Sequence, residues 1–197
     1  MTIPRLELAD MRADLQDYLA PRVARLRYLG ELFKCAAHAP GVLLLFMRFT
    51  DELKQALPDR ITETAVLTTA TLMANAYERH QHERLCIRLG YTAAWIAEVE
   101  DCQPGAARQM DEVERAVQRY VIAAVESRGL AAQQPFERMQ ALLGPAQAMA
   151  VVLLVGRYIT HALAVNTLGL APPVPSIFED GFRGDTPSPA PDATATA

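Results

Sequence analysis

Apolar residues return every three or four positions along almost the whole chain, and no segment alternates as a strand would. The pattern predicts an all-α fold. Asp10 to Leu29 is amphipathic, with Leu15, Leu19, Val23 and Leu26 on its apolar side and an interruption expected at Pro21. A second helix is expected from Gly41 to Leu57 behind His38-Ala-Pro40, and a third begins at Asp59, which is placed to cap it. Glu63, Leu67, Ala70, Thr71 and Ala74 form one stripe of that third helix. Asn75-x-x-Glu78 then has the form of a capping box, so a break at Asn75 and a new helix beyond it are expected. Gly90 ends that helix. A short one follows around Ala93 to Glu100, and others are expected at 111–127, 135–143 and 145–168, with prolines at starts and glycines at ends.

On the helix from Tyr77 to Leu89, Asn75, Glu78, His82, Leu85, Cys86 and Leu89 share one face. Arg79, His80, Glu83, Arg84 and Arg88 fall on the other, where His80 is expected in solvent. The face that should be buried therefore carries a carboxylate and an imidazole one helical turn apart. Burying such groups is costly unless they are paired or used, so chemistry is expected here. Glu63 is the second carboxylate of interest. On one continuous helix it would lie about 28 Å from His82. The two can cooperate only if the chain folds back at Asn75, or if a neighbouring subunit supplies one of them.

Composition narrows the classes. The chain has 197 residues, a net charge of −4 and no basic stripe, so a nucleic-acid partner is not expected. Cys35, Cys86 and Cys102 form no CxxC and read as reduced thiols of a cytoplasmic protein. The start, MTIPRLELADMR, has no apolar signal core, and the longest apolar run, about 146–156, is shorter than the roughly 20 residues of a membrane span. Residues 1–170 are expected to form a single helical domain. Residues 171–197 are rich in Pro and Ala and expected to be partly disordered, although the part from Pro172 to Phe182 keeps enough apolar residues to lie along the body or a neighbouring subunit. Apolar excess on several helices points to a homo-oligomer.

The order of short motifs adds a resemblance. Ile3-Pro-Arg-Leu6, Ala37-His-Ala-Pro40, Arg60-x-x-Glu63, Tyr77-Glu-x-x-x-His82, Leu89-Gly90 and the late Gly156-Arg-Tyr158 with Asn166 together resemble the carboxymuconolactone decarboxylase family, within the alkyl hydroperoxidase D-like superfamily. The resemblance spans most of residues 3–170. It implies an all-α oligomeric fold, commonly trimeric or hexameric, with a dimer also open. It also implies a small-molecule substrate, with His82 and Glu63 in the positions of the peroxidase branch's histidine and proton-relay glutamate. That branch places a CxxC where this chain has Asn75 and Glu78. Without those sulfurs a thiolate nucleophile is missing at this site. The remaining chemistry is proton transfer, as in the decarboxylase and lactone branch. Arg79 stands where many relatives carry Trp.

The catalytic candidates are thus His82, Glu63 and Glu78, acting on a small carboxylated lactone or keto acid. Tyr77, Asn75, Cys86 and His38 are candidates for lining a substrate pocket. Each has a plainer reading. His82 can be a satisfied core histidine, Glu63 a helix N-terminal acid, Glu78 a cap, Tyr77 an apolar body and Cys86 a small buried residue. Glu78 with His82 supplies only half a metal site, so no metal and no cofactor are expected. His38 and His161, the latter on the last helix beside Arg157, are second-rank pocket candidates. Decarboxylation calls for a further donor to the developing charge, an arginine such as Arg157. Two other functions stay open: a non-catalytic oligomeric binding or scaffold protein, and thiol peroxidase chemistry through one of the cysteines.

Overall fold

A computed structural model describes residues 3–179. Among them there are helices and no strands, in the order of a 3-10 turn at Leu8–Asp10 and then α1 (Ala13–Leu26), α2 (Glu31–Ala36), α3 (Pro40–Ala56), α4 (Asp59–Leu72), α5 (Ala76–Arg88), α6 (Ala93–Glu100), α7 (Glu112–Glu126) and α8 (Gln133–Leu168). The helix α4 is the axle. Every residue from Ile61 to Ala70 is buried, and α5, α6, α7 and α8 all pack against it. Small and β-branched residues (Thr62, Thr64, Ala65, Val66, Thr68, Thr69, Ala70) let four helices approach so closely. The largest apolar cluster fills the space between α4, α7 and α8, and a second lies between α4, α5 and α6 around Trp95.

The expected break at Asn75 is present, and it is tight. The Asn75 N–H donates to Ala70 O (2.8 Å) and the Ala74 N–H to Thr71 O (3.0 Å), which closes α4 with the paired bonds of a Schellman turn. Ala74 takes the left-handed conformation (φ 49°) that glycine more often supplies. Asn75 then caps α5 by accepting the Glu78 N–H at 3.2 Å. One residue therefore ends one helix and starts the next, which folds α5 back along α4.

Several elements differ from expectation. The helix α1 runs through Pro21, because the carbonyl of Asp17 that loses its partner lies on an exposed turn where water can serve it. The short α2 was not foreseen. Asp59 lies inside the first turn of α4, and Pro58 is its N-cap. The two late helices join at Gly144 (φ 77°), where a kink precedes Pro145. The whole of α8 (Gln133–Leu168) is long and apolar enough to cross a membrane, yet 56% of its most apolar window is buried, and it packs against α3, α4 and α7. It serves as a core helix. Phe182 and the residues expected to be mobile beyond it lie outside the described residues.

Candidate active site

The fold-back brings Glu63 to His82 within one subunit. Glu63 Oε2 lies 2.6 Å from His82 Nδ1, and both side chains are buried. This contact fixes the imidazole in the Nδ1–H form, leaving Nε2 as the free acceptor whenever the ring is neutral. Tyr158, from α8, fills that position with its hydroxyl 3.1 Å from Nε2 and its ring edge-on to the imidazole. Burial pushes the Tyr158 phenol well above its ordinary range, so it is a hydrogen-bond donor at neutral pH. The result is a directional row: Tyr158 O–H to His82 Nε2, and His82 Nδ1–H to Glu63.

A second row crosses it at Glu78. His161 Nε2 is 2.8 Å from Glu78 Oε1, an Arg157 nitrogen is 3.5 Å from the same oxygen, and His82 Nε2 is 3.6 Å from Oε2. Burial opposes the charge on Glu78, but His161, His82 and Arg157 together outweigh it and hold its carboxyl well below the usual range. The Asn75 amide nitrogen lies 3.2 Å from His161 Nδ1, so the capping residue also orients the second histidine. Arg157 is pinned by its Nε–H to Thr50 Oγ1 at 2.8 Å and lies over the rings of Phe46 and Tyr158. The capping box is therefore only half formed. Asn75 caps α5, while the Glu78 side chain turns inward to His161 instead of back to the Asn75 backbone.

Glu78, His82, Arg157, Tyr158 and His161 line one wall of a cavity of about 160 Å³, with Tyr77, Thr50 and Leu32 beside them. The outer wall comes from α1, α3 and α5 and adds Arg22, Arg25, Lys54, Arg88 and Asp51. Five basic side chains thus face two carboxylates, in a chain whose net charge is −4. Tyr77 is buried with its hydroxyl 3.5 Å from Leu32 N, under Gly30; a Cβ at Gly30 would fall 2.7 Å from that hydroxyl.

Not every expected residue is at the cavity. Cys86 sits behind Glu63, with Sγ 3.7 Å from Oε2, and does not line the wall. Burial and the Glu63 charge push its thiol far up, so it is not a thiolate at neutral pH. Cys102 is pushed up to about 11 by burial and Glu100. His38 is exposed, 2.8 Å from Pro4 O, and takes no part in the site. Asn75 acts through His161 rather than on the cavity. His80 is buried, not solvated, and Glu83 is fully buried on what was taken for the polar face. Tyr158 stands in the late Gly156-Arg-Tyr158 motif but is not among the site residues expected from the sequence. Among the described residues no cluster of His, Cys, Asp and Glu has the geometry of a metal site.

Solved structures place the architecture. A candidate AhpD antioxidant-defence protein of unknown function from Agrobacterium tumefaciens superposes with a TM-score of 0.65 at 18% identity, covering 71% of this chain and 96% of that one. A peroxidase-related protein with an alkylhydroperoxidase AhpD core, from Ralstonia eutropha, gives 0.66 at 16%, covering 91% and 92%. The debrominase Bmp8, in its complex with 2,3,4-tribromopyrrole, gives 0.74 at 11%, covering 86% and 90%. The chain therefore has the all-α alkyl hydroperoxidase D-like fold. No sequence-family model matches it, and no characterised protein matches it by sequence.

Proposed function

We propose that this protein is a non-redox acid–base enzyme that acts on a small carboxylated lactone or keto acid, in the manner of a decarboxylase. The observation that carries the reading is the Tyr158–His82–Glu63 row, which ends at a small cavity rich in cations. Nothing in the wall can act as a thiolate, because no cysteine among the described residues lines it. At about 160 Å³ the space is below the roughly 300–1,000 Å³ of drug-sized sites and suits a single small ring.

Loss of the carboxylate as carbon dioxide leaves its bonding electron pair on the substrate, delocalised into the adjacent carbonyl as an enolate. Arg157 lines the cavity as a donor to that developing charge, and the Tyr158 O–H joins it once His82 Nε2 carries a proton and no longer accepts from it. His82 delivers one proton from Nε2 to carbon, and Glu63 stabilises the imidazolium that precedes the transfer. Arg22, Arg25 and Lys54 draw the anionic substrate in. Val42, Leu45 and Phe49 on α3, and Met149, Leu153 and Leu163 on α8, form exposed apolar rows that support a homo-oligomer. The free cysteines fit a cytoplasmic setting.

One observation favours a rival reading as a binding module: Glu63, His82, Glu78 and His161 all find partners among themselves without a substrate. Carbon dioxide release from a panel of lactone acids and β-keto acids, measured without any thiol donor, separates the two. Turnover that needs no thiol donor and disappears in Arg157→Met supports the enzyme. Saturable binding of the same acids without any product supports the module.

A further inference from the structure

The cavity has a neighbour across a thin wall. A groove of about 530 Å³ is lined by Leu8, Val23, Leu29 and Pro173. Lys34, which also lines it, is already paired with Glu7 at 2.9 Å and Glu31 at 3.3 Å, so the groove offers apolar side chains rather than an anion site. Tyr28 and Gly30 line both spaces and form the wall between them. Each half of that wall is held in place. Gly30 lies over the Tyr77 hydroxyl with no room for a Cβ, and its carbonyl accepts the Phe33 N–H at 3.0 Å as α2 begins. Tyr28 reaches from the α1–α2 connection across to α5, where its hydroxyl donates to Gln81 Oε1 at 2.9 Å. The Gln81 amide donates in turn to Tyr77 O at 2.8 Å. The next residue, Leu29, packs against the cluster of Leu15, Leu19 and Met47. The wall is therefore a fixed partition, and the Tyr28 side chain is the part of it that is not backbone.

We propose that Tyr28 is a specificity-determining residue, a bar that limits the substrate to a single small ring by shutting the cavity off from the apolar groove behind it. The inference rests on the reading of this cavity as the substrate site. Tyr28 takes no part in the proton row, since its hydroxyl is committed to Gln81 while His82 is engaged by Tyr158 and Glu63. Its contribution is bulk. A ring takes up the cavity of about 160 Å³, so an alkyl tail on that ring needs space elsewhere. At the outer wall it would lie among Arg22, Arg25, Lys54 and Asp51, where an apolar group gains little and disturbs the solvation of the charges. Toward the groove it meets the Tyr28 ring. With that ring removed the two spaces become continuous, and a tail comes to rest on Leu8, Val23 and Leu29. Each methylene fully buried there strengthens binding by about fourfold.

Benzoate, para-propylbenzoate and para-pentylbenzoate test the bar, because they carry one carboxylate on one ring, differ only in the tail and undergo no turnover. Their dissociation constants are measured by calorimetry on wild type, Tyr28→Ala and Tyr28→Phe. The wild type should bind para-pentylbenzoate at least about tenfold more weakly than benzoate. In Tyr28→Ala the order reverses, with affinity rising by up to about fourfold per methylene. In that variant alone the tail should give nuclear Overhauser contacts to the methyls of Leu8 and Val23. Tyr28→Phe keeps the ring and with it the wild-type order. A wild type that binds the pentyl acid as tightly as benzoate overturns the proposal and leaves the substrate site standing, and this arm decides even if Tyr28→Ala does not fold. The wild-type order persisting in Tyr28→Ala overturns it too, as does a reversed order without contacts to Leu8 and Val23, or Tyr28→Phe behaving as Tyr28→Ala. A wild type that binds none of the three acids overturns the bar and the anionic-substrate reading together.

Discussion

Glu63→Gln probes the row at its buried end. The change keeps the volume of the side chain and replaces a carboxylate that lies 2.6 Å from His82 Nδ1 by a neutral amide. A hydrogen bond to a charged group contributes about 1.5–3 kcal/mol, against about 0.5–1.5 kcal/mol for a neutral one. Both partners are buried, so water does not replace the lost interaction. Most of the loss falls on the imidazolium, the state that must form before protonation of carbon. If between half and all of the charged contribution is lost, the barrier rises by about 0.8–3 kcal/mol, a rate reduction of roughly 4- to 150-fold. The reduction should appear in kcat with KM little changed, because Glu63 does not reach the cavity. Nitrogen-15 NMR of the histidine side chains gives an independent readout. The wild-type His82 should show the Nδ1–H form, and Glu63→Gln should redistribute it toward Nε2–H. A wild-type His82 already in the Nε2–H form, or a Glu63→Gln enzyme with unchanged kcat, would refute the reasoning.

Other expectations follow from the same geometry. Asn75→Ala loses the α5 cap and the His161 Nδ1 partner together and should cost about 1–3 kcal/mol in a denaturant titration; a cost below 0.5 kcal/mol would mean that the cap and the contact to His161 contribute little. Glu78 has a depressed folded pKa, so the stability it contributes is present above about pH 4.5, its unfolded range, and is lost as pH falls through the folded value. Glu78→Gln should therefore flatten the acid limb of the melting temperature against pH, and an unchanged limb would count against the network. Gly30→Ala pushes a methyl against the Tyr77 hydroxyl and should destabilise the protein by about 1–3 kcal/mol, with relief in Gly30→Ala/Tyr77→Phe, which removes the clashing oxygen. Cys86→Ser should keep turnover within about threefold, since the thiol is protonated and lies behind Glu63; loss of turnover would reopen thiol chemistry.

What the sequence discloses here follows the range of each interaction. The all-α class and the break at Asn75 are written in local signals, helical period and an Asn-x-x-Glu spacing, and both are present in the fold. The break left two routes for Glu63 to meet His82, a fold-back within one subunit or a contact between subunits, and the structure shows the first. The partner of the Glu78 side chain was not legible, because His161 and Arg157 lie about eighty residues further on and no local pattern reports which helix face meets which. The site role of Tyr158 was hidden for the same reason. The helix α2 is six residues long, too short for a period to register. The assignment of Glu83 and His80 to solvent assumed that α5 has one buried face. It has two, since residues 174–177, which cover the second, arrive from the far end of the helical body. His38 was included on motif order alone, and its neighbourhood in space is the N-terminal segment at Pro4.

The most direct test of His82 as the proton donor is deuterium delivery to carbon. Wild type and His82→Gln are given a β-keto acid or lactone acid that the wild type turns over, in D₂O and without any thiol donor, and the product is read by NMR. Gln keeps a hydrogen bond to Glu63 and removes the titratable ring. One deuteron per turnover at the carbon that carried the carboxylate, with His82→Gln slowed by at least about a hundredfold, is the expected outcome. Unchanged turnover and labelling in His82→Gln, or wild-type activity that appears only with a thiol donor, would contradict it.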